Sequence, residues 1–157
     1  MRLDIRAIGR LKSGPERTLL DDYIDRAAAQ GRSVGLGPVA EREFDARGLK
    51  DKAAETHALI SDLEPGALVF ALDETGSSLS SAALARLIGQ ARDDATRQGV
   101  FLIGGADGHE RSLLPSNARL LAFGKATWPH KLVRVMLAEQ IYRAVSILAG
   151  SPYHREG

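Results

Sequence analysis

The chain has 157 residues, 44% hydrophobic and 26% charged, with a formal net charge of +1 and no cysteine. That length suits one domain able to bury a substantial core, and the balance excludes disorder, disulfide scaffolds and thiolate chemistry. Charged residues break every early apolar run and no apolar stretch approaches the roughly 18 residues of a membrane span, so neither leader nor span is read and the cytoplasm is the expected address.

Residues 2–8 alternate like a half-buried strand. Gly14-Pro15 opens a helix whose Leu19, Leu20, Tyr23, Ile24, Ala27 and Ala28 share a face, and Gly31 closes it. A weaker strand is expected near 33–40, where Gly35, Gly37 and Pro38 point to an edge or a bulge. A second helix is read over 48–63, stopped by Pro65-Gly66. ALVFALD (67–73) is a continuous apolar run of the kind a central parallel strand needs when both its faces are covered. The polar ETGSSLSS (74–81) leads to a helix over about 81–98, closed by Gly99. A second buried strand, VFLIGG (100–105), ends in a glycine turn. A short helix and a strand (119–123) precede the last helix, about 130–149. This alternation predicts one α/β domain over 1–157, with a mostly parallel sheet and helices on both faces.

Charge is unevenly spread. From Arg119 onward six Lys or Arg face two Glu, a local balance of +4, so residues 1–118 carry −3. A basic C-terminal quarter fits an anionic partner such as RNA or a nucleotide, or equally a chance imbalance on a solvated face.

In open α/β sheets ligands gather at the carboxyl ends of strands, and three loops there are candidates. Leu72-Asp73-Glu74-Thr75-Gly76 offers a carboxylate to a ligand hydroxyl or amine, or is only a turn before a helix cap. Ile103-Gly104-Gly105-Ala106-Asp107-Gly108 lets backbone amides approach a ligand, or is a tight turn; it is neither a dinucleotide fingerprint nor a P-loop. Phe123 to His130 holds the single tryptophan, with Thr127 as a possible helix cap and Pro129 in the first turn.

In the final helix Val133, Leu137, Ile141, Ala144, Val145 and Leu148 form a stripe, with further apolar residues beside it, so cover by the sheet and by a second subunit is expected. Arg134 breaks the stripe near the helix N-terminus, where a buried cation needs an anion. The terminal Ser151–Gly157 supplies Tyr153, His154 and Arg155: a ring, an imidazole and a phosphate-binding fork, or a frayed end. Histidines at 57, 109, 130 and 154 have no ligand spacing, and no metal is expected.

LIGGADG (102–108), WPHKLVRVMLAEQIYRA (128–144) and PYHRE (152–156), with the spacing between them, resemble the ribosomal RNA large subunit methyltransferase H family of the SPOUT superfamily over the full length. The resemblance implies a deep trefoil knot in the C-terminal half, an obligate homodimer and methyl transfer from S-adenosylmethionine to N3 of a pseudouridine in 23S ribosomal RNA, on the assembled ribosome. It implies a cofactor site at Leu72, Gly104, Gly105, Gly124, Lys125, Ala126, Thr127, Trp128 and Pro129. His130 and Arg134 would contact RNA. Arg143, Tyr153, His154 and Arg155 would act on the base, with His154, His130 or water taking its proton. Alternatives on the same scaffold are another RNA target, such as transfer RNA, or a non-catalytic RNA-binding assembly factor.

Overall fold

The computed structural model describes residues 1–155. Five strands, β1 (Arg2–Ile8), β2 (Val39–Phe44), β3 (Leu68–Ser78), β4 (Gln98–Ile103) and β5 (Arg119–Ala122), form one sheet in the order β2-β1-β4-β3-β5, every pair parallel. Four helices connect or follow them: α1 (Pro15–Gly31), α2 (Lys52–Leu59), α3 (Ser81–Asp93) and α4 (His130–Leu148).

Strand alternation divides the core in two. Leu3, Ile5 and Ala7 of β1, with Phe70, Phe101, Ile103 and Leu121, face a layer made by α1, α3 and α4. Ile8, Val69, Ala71, Val100 and Leu102 face the other way, onto Leu59 of α2. Phe70 and Phe101 stack across the central strands at 5.0 Å. Burial on both faces is why these strands read as unbroken apolar runs.

Several boundaries differ from the sequence reading. The weak strand starts at Val39, opposite Leu3 of β1, because Gly35 turns left-handed and residues 32–34 form a 3-10 turn. Its edge position is as expected. Helix α2 begins only after Asp51, whose side chain accepts from the Ala54 amide at 2.8 Å, and is short of the expected 48–63. Helix α3 ends at Asp93, with Ala95 left-handed, and Gly99 lies inside β4, paired with Leu3 and Leu68, instead of closing the helix. The short helix before β5 is a single 3-10 turn, Arg111–Leu113.

The largest departure is β3, which continues through the polar residues to Ser78. Its register against β5 jumps: Leu72 and Ser77 both pair with Leu121. The intervening residues bow outward, and Gly76 sits so close to β5 that a Cβ there would lie 2.6 Å from the Leu120 carbonyl carbon. Only glycine permits that approach.

Helix α4 packs between α1 and α3 over the sheet, so most of its broad apolar surface is covered within this chain. Leu132 remains exposed on α4, as does Leu19 on α1.

Candidate cofactor and substrate site

The carboxyl ends of β3, β4 and β5 open onto one pocket of about 420 Å³, lined by all three candidate loops. Leu72, Gly104, Gly105, Gly124, Ala126, Thr127, Trp128 and His130 border it; Lys125 and Pro129 are exposed and do not.

In the first loop Asp73 accepts hydrogen bonds from the Thr75 amide (2.8 Å) and hydroxyl (2.7 Å), and from Nη2 of Arg111 at 3.1 Å to each carboxylate oxygen. The same Nη2 donates to Thr75 Oγ1 at 2.6 Å. Arg111 follows the second loop, so it clips the two loops together. Burial would raise the Asp73 pKa, but the bonds from Thr75 and Arg111 outweigh it and hold the carboxyl below the usual range.

The second loop is tightened by the Gly108 amide donating to the Gly105 carbonyl at 3.1 Å. A Cβ on Gly105 would stand 2.7 Å from Oε2 of Glu55, which α2 brings up from beneath. Burial, then the neighbouring Asp107 and Asp51, push the Glu55 carboxyl upward. His109 is buried behind Gly104, neither ring nitrogen has a hydrogen-bond partner among the described residues, and burial pushes its pKa down. The lowered pKa leaves the ring neutral at neutral pH.

The third loop closes on itself. The Trp128 indole N–H donates to the Phe123 carbonyl at 2.9 Å while the ring stays 42% exposed at the pocket mouth. Thr127 does not cap α4: Pro129 holds the cap position, without any side-chain bond.

A profile described as "Predicted SPOUT methyltransferase" matches residues 1–154. A protein of Maricaulis maris named "Ribosomal RNA large subunit methyltransferase H" is 62% identical over 156 residues, covering 99% of this chain and 100% of its own. Namesakes from Phenylobacterium zucineum and Hyphomonas neptunium are 53% and 50% identical, over 99% of this chain and 100% and 99% of theirs. The chain belongs to this family of SPOUT methyltransferases.

For a methyltransferase of this family the pocket has a suitable size and lining. Its volume lies within the range of small-molecule sites, and apolar Ile103, Leu121 and Val133 alternate with glycine backbone.

The remaining candidates sit elsewhere. Arg134, expected to contact RNA, is drawn into the fold: its side chain is only 8% exposed and both of its terminal nitrogens are bonded within the chain. Nη1 donates to Glu43 at 2.6 Å and Glu41 at 3.2 Å, and Nη2 to the Gly9 carbonyl at 3.2 Å. The anion it requires comes from β2, and it pins α4 to the end of β1. Arg143 donates to Glu139 at 2.9 Å and lies over the Tyr153 ring at 5.1 Å. Tyr153 donates to Glu139 at 3.2 Å and packs on Tyr142 at 4.5 Å, within a 3-10 turn, Pro152–Arg155. Burial, the Tyr23 hydroxyl and Glu139 push the Tyr153 phenol up, so it stays protonated. Nδ1 of His154 is shielded, without a partner among the described residues, while Arg155 is exposed. Glu156 and Gly157 lie outside the described residues.

Within one chain these groups do not meet. His130 borders the pocket at the start of α4, and Arg143 lies thirteen positions along it, roughly 20 Å at helical rise. Sequence reasoning missed Arg111 and Glu55: nothing local marks them, since their partners lie 38 and 50 positions away.

Proposed function

We propose that this protein transfers a methyl group from S-adenosylmethionine to N3 of a pseudouridine in 23S ribosomal RNA, on the assembled ribosome and in the cytoplasm, as a homodimer with a C-terminal trefoil knot. One observation carries the reading: three strand-end loops converge on a single pocket in a chain 62% identical, end to end, to a protein named for methylating large-subunit ribosomal RNA. The knot enters this reading with the family to which the chain belongs.

Leu72, Gly104, Gly105 and the 124–128 loop hold the cofactor, largely through backbone groups. The cofactor supplies a methyl already activated on a sulfonium. The protein's work would then be positional: it would present the uracil nitrogen in line with that methyl. His130 and Trp128 border the entrance, where a base can stack. The N3 proton would pass to the imidazole of His154 or His130, or to water.

Arg143, Tyr153, His154 and Arg155 reach a pocket only from a second copy. If two chains pair with their α4 helices antiparallel, the tail of each approaches the other's pocket. A surface for such pairing exists: Leu19 and Leu132 are each more than 40% exposed, and a groove between α1 and α4 is lined by Leu19, Tyr23, Phe123, Val135 and Met136.

The test is transfer of radiolabelled methyl to ribosomes purified from cells lacking the enzyme. Label mapped to one pseudouridine of the 23S RNA is the expected result. Label in transfer RNA would change the substrate. No label on any RNA, with measurable cofactor binding, would favour an RNA-binding scaffold.

A further inference from the structure

The loop between β1 and α1 is held with unusual firmness for an exposed connection. The Gly9 carbonyl takes Nη2 of Arg134 at 3.2 Å, the Leu11 amide donates to Glu43 at 2.6 Å, and the Leu11 carbonyl accepts from Nε of Arg17 at 3.0 Å. Leu11 itself is buried. Pinning Gly9 and Leu11 leaves the intervening Arg10 and the following Lys12 directed outward, and both are exposed.

Neither of these two cations is held in a salt bridge among the described residues. Glu41 and Glu43 are committed to Arg17 and Arg134 and Asp45 to Arg47, which leaves Glu16 in the first turn of α1 as the acid close in sequence. Arg134 ties the same loop to the start of α4, whose first turn carries Lys131, also exposed and unpaired among the described residues. Acids without ion pairs among the described residues gather on the opposite side of the sheet, where Asp51, set between Lys50 and Lys52, caps α2, Glu55 belongs to it, and Asp107 faces Glu55 across the glycine loop. The pocket mouth is thus flanked by a cationic side, toward α1 and α4, and an anionic side, toward α2.

We propose that Arg10, Lys12 and Lys131 form a phosphate-binding rim along which the RNA backbone runs when a base enters the pocket. This rests on the reading of the pocket as an RNA methyltransferase site and adds to it the face from which RNA approaches. Fixed loops bearing unpaired cations suit a polyanion because contact releases counterions without ordering the loop. The acids by α2 repel phosphate and exclude the other approach. Trp128, exposed at the pocket mouth, gives an unstacked base a ring to pass over.

The experiment compares R10A/K12A and K131A with a charge-matched control, K50A/R119A, whose two cations are exposed, unpaired among the described residues and away from the rim. Filter retention of unmethylated ribosomes is measured across a salt series, and cofactor affinity is measured separately by calorimetry. The double rim variant is expected to bind ribosomes about ten-fold more weakly near 0.1 M salt, with a salt slope shallower by roughly one to two, and K131A by about half that slope change. Cofactor affinity should be unchanged in both, and the control should stay within about two-fold of wild type for ribosome binding. Equal losses in rim and control variants, or none in either, would overturn the rim. Its failure is separable from failure of the methyltransferase reading. A wild-type protein that methylates ribosomal RNA while the rim variants bind normally refutes only the rim. A wild-type protein that transfers no methyl, with rim variants still losing salt-dependent binding, refutes only the activity.

Discussion

Gly105 shows how much a single missing side chain decides at the pocket. Its Cα rests against the end of Glu55, so a lone methyl group displaces only a flexible carboxylate, whereas a branched side chain also intrudes on the pocket. Gly105→Ala should therefore bind cofactor nearly as wild type does, and Gly105→Val should lose about ten-fold or more in affinity by titration calorimetry, the usual scale of overpacking. Unchanged affinity in the valine variant would remove this loop from the site. His109, just behind, makes a pH prediction. Burial lowers its folded pKa, so in the window below the ordinary imidazole value the unfolded chain binds the extra proton and the folded chain resists it. The stability associated with neutral His109 is present above roughly pH 6.5 and is lost as pH falls from there toward the folded pKa. Asp73 also loses its contribution on the acid side, but only lower, as pH falls through the carboxylate range. His109→Leu should flatten the fall in urea midpoint between about pH 7 and pH 5, and an unaltered slope there would assign it to another group.

At the level of elements, α4 is held by charge as well as by its apolar stripe. Arg134 links its first turn to β2 through Glu41 and Glu43 and to β1 through the Gly9 carbonyl. Arg134→Met leaves Arg17 as the one cation paired with those carboxylates among the described residues, and a cost of about 3 kcal/mol is expected. In a protein of this size that lowers Tm by roughly 6–12 °C in a thermal melt, with Arg134→Lys falling between. A loss below about 1 kcal/mol would mean that the apolar contacts alone seat the helix. The sequence made Arg134 conspicuous, because a cation in an apolar stripe demands an anion, but it could not name the partner more than 90 positions away. The same limit separates what was legible from what was not. β1, β3, β4 and α4 announce themselves by apolar periodicity, and the three loops follow from where those strands end. The continuation of β3 through Thr75–Ser78 was hidden because polar residues there pair through their backbone with β5 and bury little. Arg111 and Glu55 were hidden because their partners are distant in sequence.

For the whole molecule, the proposed dimer becomes a catalytic requirement if the tail is to act at the pocket, because the two lie at opposite ends of α4. Leu132→Glu places a charge on the exposed apolar strip of α4 and should shift sedimentation from dimer to monomer at micromolar concentration, with loss of methyl transfer but a retained melting transition. A monomer that still transfers methyl would show that one chain suffices. A sharper test uses two variants, each inactive for a different reason. Gly105→Val should disable the pocket, and Arg155→Ala should disable the tail while leaving cofactor binding intact. If each site takes its tail from the partner, a mixed dimer has one site with both parts intact, formed by the Arg155→Ala pocket and the Gly105→Val tail. Random re-pairing of equal amounts makes half the dimers mixed, with one good site of two, so about a quarter of wild-type activity should return. If pocket and tail of the same chain worked together, every site in the mixture would carry one defect and no activity would return. The two arrangements differ only in which chain the tail serves, and recovery on mixing measures that alone.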